Sequence, residues 1–168
     1  MKKLSLIILV IAFVCVTAPA QVTSVYTNLN KKCRTISQHS TPIDSFEAEC
    51  LGVGGYKVRW VEGDSRESIN ILTPSRKKFE LNFWSYLSHF SSLGNKLEWR
   101  TRKGTPFALI ARMTVSGDNE KPKSYLIVSK IGKKESCVVD LIEPGPKQNE
   151  NARKSADGAS GKPCKAIE

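Results

Sequence analysis

Histidine is nearly missing from this chain: 168 residues hold only His39 and His89. A Ser or Cys nucleophile ordinarily needs a base within hydrogen-bond reach and a third group to orient that base. Two histidines leave little room for such machinery. His89 has Ser85, Ser88 and Ser91 as neighbours in sequence, but no GxSxG elbow surrounds any serine. CxxC and HxxxH spacings are absent as well, so the usual signatures of a zinc site are missing. The expectation is a chain with no cofactor, no metal and no catalytic residue. Past residue 20 no apolar run is long enough to cross a bilayer as a helix. Acids are scarce beside bases, 16 against 26, for a formal charge of +10. That excess biases the chain towards anionic partners: phospholipid head groups, lipopolysaccharide phosphates, acidic glycans, or nucleic acid met without sequence specificity.

What is present begins with a leader. Lys2 and Lys3 form a positive n-region, "LSLIILVIAFVCV" is an apolar h-region too short for a comfortable span, and Ala18-Pro19-Ala20 is a small-x-small ending. The pattern predicts a signal peptide over 1–20, cleaved after Ala20, and a soluble periplasmic or secreted product that starts at Gln21. A lipoprotein would place its acylated Cys directly after a small residue at the cleavage point, whereas Cys15 follows Val14 inside the apolar run. Loss of Lys2 and Lys3, with no acid removed, leaves a charge of +8. The remainder suits one β-rich domain over 21–164 with a short tail, 165–168.

Export changes the meaning of the cysteines. Cys33, Cys50, Cys137 and Cys164 remain, an even number for a compartment where disulfides persist. Four cysteines allow three connectivities. Closeness along the chain favours Cys33 with Cys50 and Cys137 with Cys164, each pair stapling one end of the chain to a neighbouring strand.

Most of the chain reads as strand. In "YKVRW", Tyr56, Val58 and Trp60 alternate with Lys57 and Arg59, the period of a strand with one buried and one wet face. The preceding "GVGG" resembles a phosphate loop, but such a loop follows a strand and opens a helix. Here the glycines lead into a strand, so they are expected to form a tight turn or bulge with positive φ. A turn at Gly63-Asp64 joins this strand to "RESINIL" as a hairpin. "FELNF", "NKLEWRTRK", "PFALIARMTV", "SYLIVSKI" and "SCVVDLI" follow, and "CRTIS" and "FEAEC" come earlier. The expected fold is mainly β: an antiparallel sandwich or open barrel of about eight strands. "WSYLSHFSSLG" has helical spacing and predicts a short helix near 84–92. After "EPGP", Ala152, Ala156 and Ala159 form a narrow stripe of small residues, which predicts a C-terminal helix near 147–160 lying close to the sheet.

The stretches "GVGGYKV", "EGDSRESINI", "FSSLGNKLEWR", "SYLIVSKI" and "ARKSADGASGKPC" together resemble a family of uncharacterised exported bacterial proteins that end in an alanine-containing helix and a Pro-Cys pair. That resemblance implies an exported location and brings with it no catalytic or binding residue.

Function must then be sought on surfaces. In "KLEWRTRK", Lys96, Glu98, Arg100 and Arg102 share one strand face, opposite Leu97, Trp99 and Thr101. If Trp99 is core, the other face offers Lys96, Arg100 and Arg102, with Lys103 at its end, and arginine forks suit phosphates and carboxylates. The competing assignment is a solvated face balanced by Glu98 and Glu80. Trp60 and Trp84 are either a sugar-stacking platform or core. A glycosidase-type carboxylate pair has Glu62, Asp64, Glu67, Glu80 and Glu98 to draw on. The expectation is a non-catalytic exported β-domain binding an anionic envelope component or a protein partner, with a small hydrolase of envelope polymers as the alternative. An inhibitor of a lysozyme-like enzyme is a minor branch, disfavoured because a basic inhibitor meets a typically basic enzyme with like charges.

Overall fold

The computed structural model describes residues 21–39, 45–87, 89–117 and 121–167. The leader with Cys15 and the site after Ala20, together with Ser88 and the side chain of His39, lie outside the described residues.

Ten strands carry the fold: β1 (Val22–Asn28), β2 (Cys33–His39), β3 (Ser45–Leu51), β4 (Lys57–Gly63), β5 (Arg66–Leu72), β6 (Lys78–Glu80), β7 (Phe90–Arg102), β8 (Thr105–Ser116), β9 (Lys123–Lys130) and β10 (Cys137–Ile142). One α-helix, α1 (Gln148–Asp157), follows, and single 3-10 turns occupy Phe83–Ser85 and Ala159–Gly161. The protein is mainly β, as expected. Strand order is β10-β9-β8-β7-β5-β4-β3-β2, with β1 added beside β7 and β6 beside β5, so the sheet stays open and does not close into a barrel.

Two antiparallel halves meet at β7. Its first residues touch β5 through one parallel pairing, Arg66 with Ser91, which makes the sheet mixed where a purely antiparallel one was expected. Its later residues run beside β1, from Arg102 opposite Val22 to Lys96 opposite Asn28. The inner faces of the two halves share one apolar cluster, where Val58, Ile69 and Ile71 pack with Leu97, Trp99, Leu109, Met113 and Ile127. Trp99 is fully buried and its indole N–H donates to the Thr27 hydroxyl at 2.8 Å. A second cluster lies on the outer face of the β8–β10 half, where Ala152, Ala156 and Ala159 rest on Phe107, Ala108, Ile110, Leu126 and Val128. The alanine stripe brings the helix backbone close to the sheet, as its small side chains allow.

Three details of the expected fold change. β1 adds a strand that periodicity does not announce, because Val22, Ser24 and Tyr26 share a face without making it apolar. The helix near 84–92 is only the turn Phe83–Ser85, and Phe90 already belongs to β7. Asn82, at φ +45°, swings the chain out of β6 and drops Leu81 and Phe83 into the core, and β7 takes Phe90 to Gly94 from the stretch with helical spacing. The "GVGG" stretch is the β3–β4 turn, with Gly54 and Gly55 at φ +62° and +80°. A Cβ on Gly52 would stand 2.8 Å from the Tyr56 carbonyl oxygen and 2.9 Å from the Trp99 ring.

Two disulfides close the ends. Cys33 and Cys50 are direct partners across β2 and β3, and Cys137 in β10 is bonded to Cys164 beyond α1. The backbone N–H of Lys165 donates to the Val138 carbonyl at 2.8 Å, which fixes the start of the tail. Two disulfides fit an oxidising, exported compartment. Among the described residues, no helix is long and apolar enough to cross a membrane.

Candidate functional site: a basic cleft beside helix α1

The expected basic face of β7 exists as a face, but α1 lies over it. Leu97, Trp99 and Thr101 point into the core, and Lys96, Glu98, Arg100 and Arg102 point the other way, towards the helix. Arg100 is 9% exposed: its Nε and Nη2 hold both carboxylate oxygens of Asp157 at 2.7 and 2.9 Å, and its Nη1 donates to the Ser24 hydroxyl. Asp157 is the last residue of α1, where the helix dipole disfavours a carboxylate, and the Arg100 fork offsets that. Arg102 donates to the Asp157 carbonyl at 3.0 Å and lies 3.9 Å from the centre of the Phe107 ring. Lys103 is exposed in the β7–β8 turn at φ +48°. The four cations therefore do not form one open surface. Arg100 and Arg102 fasten the helix, Lys103 belongs to the turn, and Lys96 alone of the four opens onto a cleft.

That cleft has a volume of about 260 Å3 and lies between α1 and strands β7 to β9. Ile110, Leu126 and Ala152 line it with apolar surface; Tyr26, Lys96, Glu98, Arg112, Asn149 and Arg153 supply its polar groups. Glu98 is spoken for. Arg153 donates to its two oxygens at 2.7 and 3.2 Å and Ser24 donates a further hydrogen bond. Burial pushes the Glu98 carboxyl up, but the bonds from Arg153 and Ser24 and the charges of Arg153 and Arg100 outweigh it and hold the group below its ordinary range.

Arg112 is different. Its Nη1 donates to the Ser124 hydroxyl at 2.9 Å and to Oε1 of Gln148 at 3.1 Å, and its Nη2 donates to Oδ1 of Asn149 at 3.1 Å. Gln148 is held in turn, its amide donating to the carbonyls of Ser124 and Ile142 at 2.7 and 3.2 Å. Among the described residues Arg112 has no acidic partner. Neutral dipoles fix the half-buried guanidinium, and no described carboxylate balances its charge. Lys96 stands in the same cleft, its Nζ 5.4 Å from the centre of the Tyr26 ring. A fixed planar fork and an ammonium lining one cleft form an arrangement that takes a phosphate, carboxylate or sulfate oxygen. Arg112 and Arg153 are absent from the sequence expectation. Arg112 had a readable signal, as the single charge within the apolar strand "PFALIARMTV".

The other expected residues scatter. Glu80 pairs with Lys78 at 2.8 Å and Asp64 with Arg66 at 2.8 Å. Trp60 packs edge-on against Phe46, ring centres 5.0 Å apart, and belongs with the core cluster. Trp84 is half-buried in the Phe83–Ser85 turn. His89 is exposed, and among the described residues no hydrogen bond joins it to a serine. Glu135 lies near Cys137 and Cys164, but both sulfurs are spent in the disulfide, which leaves one carboxylate and no metal cage. Glu62 and Glu67 do meet, as direct partners across β4 and β5. Burial pushes the Glu67 carboxyl up and the charge of Glu62 adds to this, against the Leu93 N–H that Glu67 accepts at 2.7 Å and the nearby Trp60 indole N–H. Compared with known proteins, the chain matches no family model, no curated protein and no solved structure.

Proposed function

We propose that this protein is an exported, non-catalytic β-domain, periplasmic or secreted after cleavage at Ala20, that binds an anionic group of an envelope component in the cleft beside α1. The observation that supports this is the state of Arg112. A half-buried guanidinium costs desolvation that a carboxylate normally offsets, and among the described residues Arg112 meets only neutral oxygens. Arg100 and Arg153, on the same side of the sheet, each have a carboxylate. Among the described residues Arg112 is the guanidinium of the cleft without a carboxylate, and Lys96 lines the same cleft, so an incoming phosphate or carboxylate meets two positive groups and an already ordered fork. Long-range attraction from the basic chain guides the encounter, and only the fork gives register.

A pull-down of the mature protein on purified envelope fractions, at low and physiological salt, tests this reading. The double variant Lys96→Gln/Arg112→Gln is compared with Lys133→Gln/Lys134→Gln, two exposed lysines in the β9–β10 loop. Both lose general attraction, which salt screens over about 8 Å at physiological strength. Only the cleft variant should lose most of its binding there, and equal losses would reduce the site to unspecific charge. The second reading, a small hydrolase of envelope polymers, draws on Glu62 and Glu67. Direct opposition puts their β-carbons about 5 Å apart, and one carboxyl is raised as a general acid requires. Turnover of a cell-wall polymer that disappears in Glu67→Gln would select it.

A further inference from the structure

The β4–β5 hairpin ends at a pocket of about 220 Å3, apart from the α1 cleft. Strand parity puts Glu62 on the face that carries Val58, and Glu67 on the face that carries Ile69 and Ile71. The core face of the hairpin thus ends in two opposed carboxylates. One oxygen of Glu67 accepts the Leu93 N–H at 2.7 Å, and the Trp60 indole N–H lies near enough to the carboxylate to favour its charged form. Glu62 has no hydrogen bond or ion pair among the described residues. Ser91, on β7, lines the same pocket; it is 6% exposed, and its hydroxyl has no partner among the described residues. Phe90 stands on the rim, 54% exposed. The nearby Arg66 is turned to Asp64 and does not line the pocket. Among the described residues, a chain rich in cations has thus left two carboxylates and a buried hydroxyl together without one.

We propose that this pocket binds a primary ammonium group, its three N–H bonds going to Glu62, the second oxygen of Glu67 and the Ser91 hydroxyl, with the Phe90 ring against the alkyl stem. The acceptors match an ammonium in number, and an aromatic rim adds cation–π attraction. A divalent ion asks for about six to eight oxygens and has no use for an exposed ring. A free diamine and a lysine side chain of a protein partner share this chemistry. Hydrolysis makes the opposite demand on the pair, since ammonium capture needs both carboxyls ionised and a general acid needs one protonated.

The mature protein, labelled with nitrogen-15, is titrated with 1,5-diaminopentane, with a blocked lysine-bearing peptide, with tetramethylammonium and with calcium chloride. The amides of Ser91 and Leu93 should shift saturably with the diamine, the peptide or both; response to only one names the source and still supports the proposal. Tetramethylammonium, which has no N–H, should bind at least tenfold more weakly. Glu62→Gln and Glu67→Gln should each weaken amine binding tenfold or more, and Ser91→Ala by a smaller factor. Glutamine keeps the side-chain shape and can still accept the Leu93 N–H, and an unchanged spectrum elsewhere verifies the fold. The proposal is overturned by no saturable shift with either amine, by equal affinity for tetramethylammonium, by glutamine variants that bind as well as the wild type, or by calcium binding more tightly than the amines.

Discussion

The α1 cleft and the β4–β5 pocket are built from similar side chains by opposite rules. In and beside the cleft, Arg153, Glu98 and the neighbouring Arg100 have charged partners, and the Glu98 carboxyl lies below its ordinary range because its bonds and the nearby cations outweigh burial. In the hairpin pocket two carboxylates face each other, burial and Glu62 push Glu67 up, and a buried hydroxyl goes without a partner. The first set of groups holds the helix to the sheet. The second costs stability, because like charges placed directly opposite on a sheet repel and a desolvated carboxylate resists ionisation. Among the described residues of the cleft, Arg112 is the guanidinium without a carboxylate partner, and so it marks the binding group among its structural neighbours.

The largest expected break comes from the staple behind the helix. Cys137→Ser with Cys164→Ser opens a link across 27 residues of sequence, and the chain-entropy estimate for such a loop is about 3–4 kcal/mol. Urea denaturation should show that loss, and amide exchange should rise around α1 more than around the β4–β5 hairpin. Next comes Arg100→Ala, which strips Asp157 of its fork and leaves the helix end uncompensated. Hydrogen bonds to charged groups are worth about 1.5–3 kcal/mol each, and Asp157 is partly exposed, so a total of about 2 kcal/mol is expected from the same denaturation. A change under about 0.5 kcal/mol would mean that the pair does not fasten the helix.

The two glutamates sharpen the comparison through pH. Glu98 has a lowered carboxyl in the folded state, so its contribution is present above the ordinary value of 4.5 and is lost as pH falls through the folded value. Glu98→Gln should therefore cost stability at neutral pH, about 1 kcal/mol given the partial exposure of Arg153, and progressively less in acid. Glu67 has the reverse sign. Its raised carboxyl favours the folded state fully below 4.5, and this contribution disappears as pH rises through the folded value. Glu67→Gln should leave stability at neutral pH unchanged or raise it by up to about 1 kcal/mol, with the relative gain gone in acid. Thermal unfolding of both variants between acid and neutral pH measures the two opposed slopes, and parallel slopes would dissolve the contrast between the pockets.

Much of this architecture could be read from local pattern. Val58 and Trp60 against Lys57 and Arg59, and Ile69 with Ile71, announce a hairpin; its turn is Asp64-Ser65, one residue later than the expected Gly63-Asp64, and that shift is what sets Glu62 opposite Glu67. The glycines before Tyr56 declare a turn because a strand follows them. β1 escaped because its apolar residues do not fall on one face, and β7 supplies the context that makes it a strand. Trp84 and Leu87 imitate helical spacing, while the left-handed Asn82 and the long reach of β7 decide otherwise. The face carrying Lys96, Arg100 and Arg102 was legible as a face. That α1 would cover it was not, since the contact joins residue 100 to residue 157 and depends on the alanine stripe finding the sheet.

The central claim is that Arg112 recognises an anion by its fork and not by its charge alone. Arg112→Lys keeps the charge and removes the fork. Titrating wild type and variant with vesicles bearing anionic phosphate head groups, at about physiological ionic strength, separates the two. The account predicts saturable wild-type binding and at least a tenfold loss in Arg112→Lys, about 1.4 kcal/mol or more; equal affinities of the two proteins would contradict it.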